Sequence, residues 1–220
     1  MSNVDLILGA DPSRKRAVRT EPTQRRSSQR LDALLDAAAE IVDEYTFERL
    51  TTQMVAERAG ASIGTVYRYF PDRVAVLHAL RERSVRRFRE RLADELERTE
   101  LETWWSVIDL SIMVSAEMYR DEPGFAVVHG AERELAEGDI EPELAHRFAQ
   151  LIEAEFGADA DQAELRFRLG VAMEFGGALI YRAFERDESG DERYLEEARR
   201  LVHDYLAEHL GEARAEHNAA

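Results

Sequence analysis

An all-α fold is predicted for the 220-residue chain: an N-terminal three-helix unit containing a helix-turn-helix, joined by a long helix to a C-terminal helical bundle. Three observations predict it. Apolar residues recur at three- and four-residue spacing along most of the chain, the period of a helix with one buried face. No segment shows a run of alternating β-branched residues. Stop and turn signals are short and helix-lengths apart, as at Glu122-Pro123-Gly124, Gly138, Phe156-Gly157 and Ser189-Gly190.

Residues 1–27 are expected to be a disordered arm, without periodicity at first and then basic. Between positions 14 and 30 stand Arg14, Lys15, Arg16, Arg19, Arg25, Arg26 and Arg30 against one acid, Glu21. From Ser28 the pattern turns helical. Leu31, Leu34, Leu35, Ala38, Ile41, Val42 and Tyr45 make one apolar stripe, and Ser27 or Ser28 can cap its start. Phe47 and Leu50 fill the connection to the next helices, completing a domain over 28–76. A long helix follows over 73–97, with Val74, Leu77, Leu80, Phe88 and Leu92 on one face. Further helices are expected near 101–120, 123–135, 141–156, 161–186 and 191–210. They make a second domain over 77–211, with 212–220 a frayed tail.

The net charge of −16 alone argues against a nucleic-acid partner, but its distribution reverses that reading. Residues 1–92 hold 17 Lys/Arg and 13 Asp/Glu; residues 93–220 hold 12 and 32. The positive end suits a polyanion, and the negative end keeps the rest solvated. The chain has no cysteine, which removes disulfides and thiolate metal sites and fits a reducing cytoplasm. The opening residues lack a basic leader, and no apolar run has the length of a membrane span. A soluble, cytoplasmic protein without membrane association is expected.

Residues 51–73 carry the chemistry. Thr51 or Thr52 can open a short helix, Gly60 ends it in the left-handed conformation, Ser62 caps a second, and Pro71 closes that one. Val66 and Phe70, one turn apart, form its inward side. Ile63, Gly64, Thr65, Tyr67, Arg68 and Tyr69 are left toward a ligand or its edges. Gly64 lets the backbone approach a base or phosphate, and Thr65 can hydrogen-bond a base or touch a thymine methyl. Tyr67 and Tyr69 suit phosphate oxygens, which fix register without reading sequence. Thr51, with the free N–H groups at its helix start, also suits a phosphate oxygen.

The run Leu50-Thr51-Thr52, Val55-Ala56, Ala59-Gly60 and Ser62 through Arg73 resembles the TetR family of bacterial transcriptional regulators, over about Leu31 to Leu80. The resemblance implies that Ile63, Gly64 and Thr65 face bases, and that Thr52, Gln53, Tyr67, Tyr69 and Arg73 contact phosphate or DNA. With Thr51, Ser62 and Arg68 these are the candidate DNA-binding residues. One departure is visible. Members usually carry glycine where Thr46 ends the first helix here.

The same resemblance implies a homodimer binding a palindromic operator and a small-molecule effector held in the C-terminal domain. It points to a repressor released by that ligand. Trp104, Trp105, Met113, Glu117, Met118, Phe125, Phe148, Met173, Glu174 and Tyr181 are candidate pocket residues. Aromatic and methionine side chains line flexible apolar sites, although the same residues equally suit a bundle core. Gly176 and Gly177 inside an apolar helix call for a close approach, and with Leu201 and Tyr205 they are candidates for the dimer interface. Two alternatives remain: an all-α ligand-binding protein or enzyme without DNA binding, and a DNA-binding dimer without a ligand.

Enzyme signals are weak. Gly60-x-x-x-Gly64-Thr65 lacks the lysine and preceding strand of a phosphate loop, and no Gly-x-Ser-x-Gly elbow exists. Six histidines form no zinc pattern, so neither a metal nor a cofactor is expected. The arm generates a prediction. Deleting residues 1–24 removes Arg14, Lys15, Arg16 and Arg19, lowering affinity for every duplex. Each lost phosphate contact flattens log K against log salt by about 0.9. Binding isotherms at four salt concentrations check it.

Overall fold

The computed structural model describes residues 3–8, 22–130, 141–157 and 161–211. Among the described residues the elements are helical and no β-strand occurs. In chain order they are α1 (Asn3–Leu8), α2 (Pro22–Tyr45), a 3-10 turn (Phe47–Arg49), α3 (Thr52–Arg58), α4 (Ile63–Tyr69) and α5 (Arg73–Arg98). The rest are α6 (Trp104–Asp121), α7 (Phe125–Gly130), α8 (Glu141–Phe156), α9 (Gln162–Phe184) and α10 (Glu192–Leu210). No described helix is long and apolar enough to cross a membrane.

The arm departs from expectation at both ends. Asn3–Leu8 is helical, and α2 starts at Pro22 rather than Ser28. Proline opens a helix at little cost, because its missing N–H is one the first turn leaves unbonded anyway. Arg14, Lys15, Arg16, Arg19, the Gly138 break and the tail over 212–220 lie outside the described residues.

The chain divides into two compact units. One comprises 11–87 and 121–135; the other comprises 1–10, 88–120 and 136–220. The first of these units reaches Arg87 along α5 and takes in α7.

In the first unit Leu34, Leu35, Ala38, Ile41 and Val42 of α2 meet Phe47, Leu50, Val55, Ala56, Val66 and Phe70. Val76, Leu77 and Leu80 of α5 and Val128 of α7 complete the core. Val74 was expected on this face but is exposed. Asp72 caps α5 by accepting the Ala75 N–H (2.9 Å), which turns Val74 outward in the first turn. Tyr45 is 37% exposed, with the Arg49 guanidinium 5.2 Å from its ring centre.

The turn before α7 docks closely on α2. Gly124, at φ 75°, donates its N–H to Asp43 Oδ1 (3.0 Å), and a Cβ there would stand 2.8 Å from Val42 Cγ2 and 3.0 Å from the Ala39 carbonyl. Beside it, Arg83 donates to Asp36 (2.8 Å), while Arg87 pairs with both Asp36 and Glu122. Arg83 and Glu122 are buried. Burial holds Arg83 below its ordinary value, against the pull of Asp36 and Glu122.

In the second unit α9 and α10 pack along their length, and α8 packs on α9. Leu165, Leu169, Ala172, Ile180 and Ala183 of α9 are buried, as are Leu195, Ala198, Val202 and Leu206 of α10. Trp104 lies in this core, its indole N–H donating to the Gly211 carbonyl (2.9 Å) and its ring stacked on His203.

Thr46 has φ 72° and ψ 162°, a region nearly confined to glycine. Its hydroxyl donates to Glu48 Oε2 (2.6 Å), a weak return for a β-branched residue there. Such strain costs ~1–3 kcal/mol. Thr46→Gly is expected to raise unfolding stability by ~1 kcal/mol, after the added freedom of the unfolded chain is subtracted. Urea denaturation checks it.

Candidate nucleic-acid interface

Two short helices build the face, and neither contains enough turns to be stable alone. Thr51, extended at φ −129°, accepts the Met54 N–H on Oγ1 (3.1 Å) and so starts α3. Its other end closes in a left-handed turn at Gly60 (φ 59°). The Gly60 N–H donates to the Glu57 carbonyl (3.2 Å) and the Ala61 N–H to the Ala56 carbonyl (2.9 Å). Ser62 starts α4 two residues later, its Oγ accepting the Thr65 N–H (3.2 Å) and lying 2.9 Å from Thr65 Oγ1.

Val66 and Phe70 anchor α4 in the core, as the spacing predicts. Ser62, Ile63, Gly64, Tyr67 and Arg68 are consequently exposed, Tyr67 to 55%. A Cβ on Gly64 would meet only Ser62 Oγ, at 4.0 Å, so the backbone is open to a close partner. Thr65 is half-buried at the edge of this face. On α3, Thr51 and Gln53 are exposed and Thr52 half-buried. Gln53 Nε2 donates to Glu57 (2.7 Å).

Tyr69 and Arg73 also bond within the fold. The Tyr69 ring packs partly against the core, and its hydroxyl lies 3.0 Å from Ser27 Oγ and donates to the Ser27 carbonyl (3.4 Å). The Ser27 bond first, and then the hydrogen bond and charge of Arg68, lower the phenol from its ordinary value. Tyr69 thus braces α4 against α2. Arg73 donates to the Glu48 carbonyl (3.0 Å) and covers the Phe47 ring at 5.5 Å, tying α5 to the 3-10 turn.

Sequence reasoning missed a second brace. Arg58, at the end of α3, donates to Glu40 (3.2 Å) and to both Glu44 oxygens (3.0 and 2.8 Å) on α2. Those bonds raise the guanidinium from its ordinary value, and the Arg58 bond holds the Glu44 carboxyl below the usual carboxylate range. The direction favours the ionised carboxylate, so acid weakens the Glu44 half of the brace. Its signal was the acidic i, i+4 pair, which can grip one arginine from a crossing helix.

The candidate pocket residues differ in burial and in the unit that holds them. Phe125 is buried in the first unit, on α7. Trp104, Met118 and Phe148 are packed in the core of the second. Trp105, Glu117 and Met173 are half-buried, and Met113, Glu174 and Tyr181 are exposed. Outward positions on α6 and α9 separate these last three from the core row.

The interface pair Gly176 and Gly177 also divides. Gly176 is buried, and a Cβ there would stand 2.9 Å from Val202 Cγ2, so its close approach is to α10 of the same chain. Gly177 is exposed with nothing within 4 Å of such an atom. Leu201 is exposed, whereas Tyr205 packs edge-on to Phe175 with ring centres 5.6 Å apart.

Residues 34–80 match the family described as bacterial regulatory proteins of the tetR family, and residues 102–210 match a tetracycline-repressor-like C-terminal domain. A TetR-family transcriptional regulator from Streptomyces coelicolor is 32% identical, covering 82% of this chain and 99% of its own, with a TM-score of 0.71. The chain belongs to the TetR family. It is a transcriptional regulator whose helix-turn-helix is its DNA-binding domain. The HTH-type transcriptional repressor KstR of Mycolicibacterium smegmatis is 37% identical over 81 residues, a third of that repressor's length. A regulator from Pectobacterium atrosepticum, 18% identical, shares the fold over 89% of this chain and all of its own at a TM-score of 0.67.

Proposed function

We propose that this regulator is a homodimeric repressor whose α4 face reads a palindromic operator and which a small molecule releases. The observation that carries the reading is the face itself. Capped by Ser62 and pinned by Val66 and Phe70, α4 leaves Ile63, Gly64, Tyr67 and Arg68 together on one exposed side. Gly64 supplies close approach, Thr65 and Ile63 flank it toward the bases, and Tyr67 and Arg68 supply phosphate donors. Thr51, Thr52 and Gln53 add contacts at the start of α3.

The dimer is proposed to form through α9 and α10. Phe167, Gly170, Glu174, Gly177 and Tyr181 follow 3-4-3-4 spacing along α9, and Phe167 is 61% exposed. A large aromatic left this open on a helix invites a partner. Leu201 on α10 extends the apolar area. Two α4 helices related by a two-fold would enter successive major grooves about 34–36 Å apart. A ligand favouring another arrangement of the dimer would lower operator affinity by a coupling of ~1–3 kcal/mol.

Two variants test the reading face. Gly64→Val has room in the fold and Thr65→Ala removes one hydroxyl. Both are expected to keep helix content while losing ~1–3 kcal/mol of operator binding. Fluorescence anisotropy on a labelled operator measures it, and unchanged affinity in both would remove α4 from the interface.

For the dimer, Phe167→Asp with Gly177→Leu is expected to give folded monomers that no longer bind the full palindrome. Gly176→Leu, by contrast, is expected to destabilise the chain by overpacking Val202, at ~1–3 kcal/mol. Sedimentation velocity and thermal melts separate the two effects.

A further inference from the structure

The C-terminal unit contains a charged cluster that the DNA-binding face does not use. Arg89 of α5 and Arg147 of α8 converge on one carboxylate, Glu143 of α8, with Arg89 Nη2 3.4 Å from Glu143 Oε2. Each arginine side chain is only 16% exposed, whereas Glu143 is 53% exposed. The Nε–H groups of both arginines are buried with no hydrogen-bond partner among the described residues. Burial first lowers Arg89 from its ordinary value, and the neighbouring Arg147 lowers it further. Two guanidiniums held together in a half-dry site, with donor capacity unused, are an arrangement suited to an oxyanion.

The remaining partner of this cluster is α1. Arg147 Nη1 donates to the Leu6 carbonyl at 3.2 Å, and Leu6 and Ile7 are buried where α1 packs on α8. On α8 the row Leu144–Phe148 runs beside the row Glu143–Arg147, one residue away, so an apolar strip borders the charged one. α1 thus offers an oxygen to Arg147 and a branched hydrocarbon to the site beside it. It makes both contacts with six helical residues, too few for a helix to persist alone.

We propose that Arg89 and Arg147 form the head-group site of an oxyanion-bearing amphiphile, and that α1 and the Glu143 carboxylate are resident stand-ins which such a ligand displaces. A carboxylate or phosphate brings full charge where the Leu6 carbonyl brings a dipole, and its alkyl chain takes the place of Leu6 and Ile7. The inference deepens the proposed ligand response and rests on that reading, naming the class of molecule and the side chains that select it.

The test is calorimetric titration of the full-length chain, without DNA, using decanoate, decyl phosphate and decyltrimethylammonium. Saturable binding of decanoate or decyl phosphate is expected, the tighter of the two identifying the head group, with none for the cation. Arg89→Gln is expected to weaken binding about tenfold or more, as for a lost hydrogen bond to a charged group. Glu143→Gln, at an exposed position, is expected to tighten it by removing the internal competitor. These opposite signs distinguish a site from a damaged fold. Absence of binding by either anion to both wild type and Glu143→Gln would overturn the proposal and leave α1 a fixed part of the unit. If the anions bind with the expected signs but leave affinity for a labelled operator unchanged in a separate anisotropy titration, the site stands and ligand release is refuted.

Discussion

Burial of Val66 and Phe70 beneath α4 is the contact on which the proposed reading face depends. A seven-residue helix lies well below the length that holds itself in water, so α4 exists because its inner side is part of a larger core. Ser62 fixes where it starts, and Phe70 returns its N–H to the Val66 carbonyl at 2.8 Å where it stops. With both ends and one face determined, the opposite face has no freedom of orientation. Tyr69 and Arg58 add polar struts to α2 from α4 and α3. Recognition chemistry is thereby placed on a rigid support assembled from non-adjacent residues, as a reading surface requires.

The same core extends beyond the three helices that make the motif. Val128 belongs to it, and the turn at Gly124 fits against α2 so closely that a methyl group would collide with Val42. Arg83, Asp36, Arg87 and Glu122 form a partly buried chain of charges beside that turn. Buried ion pairs seldom add much stability over apolar packing, but removing one member strands a charge and costs far more. This cluster therefore holds α2, α5 and the α7 turn in one register. A segment distant in sequence from the motif is built into the unit that carries it.

Much of this was legible in the sequence because periodicity and capping are local. The caps at Thr51 and Ser62, the stop at Gly60, the inward pair Val66 and Phe70, and most helix limits follow from neighbouring residues. The glycine departure at Thr46 was legible too, and the structure shows its consequence as a positive φ on a β-branched residue. What the sequence does not carry is which element faces which. Gly176 calls for a close approach in the sequence, but its partner, Val202, is specified only by the antiparallel packing of α9 and α10. Tyr69 and Tyr67 are alike in type and two positions apart, and only the path of α2 turns one toward Ser27. The seat of α1 on α8 had no sequence signal, because six residues are too few to show a period.

Selection of bound duplexes from a random pool tests the central claim most directly, since it interrogates the α4 face without presupposing an operator. A dimer presenting two such faces predicts enrichment of a two-fold palindrome. Its half-sites should be centred about one helical turn apart, 10–10.5 base pairs, or a multiple of that. Enrichment of an asymmetric sequence, or of none above the starting pool, would contradict the account.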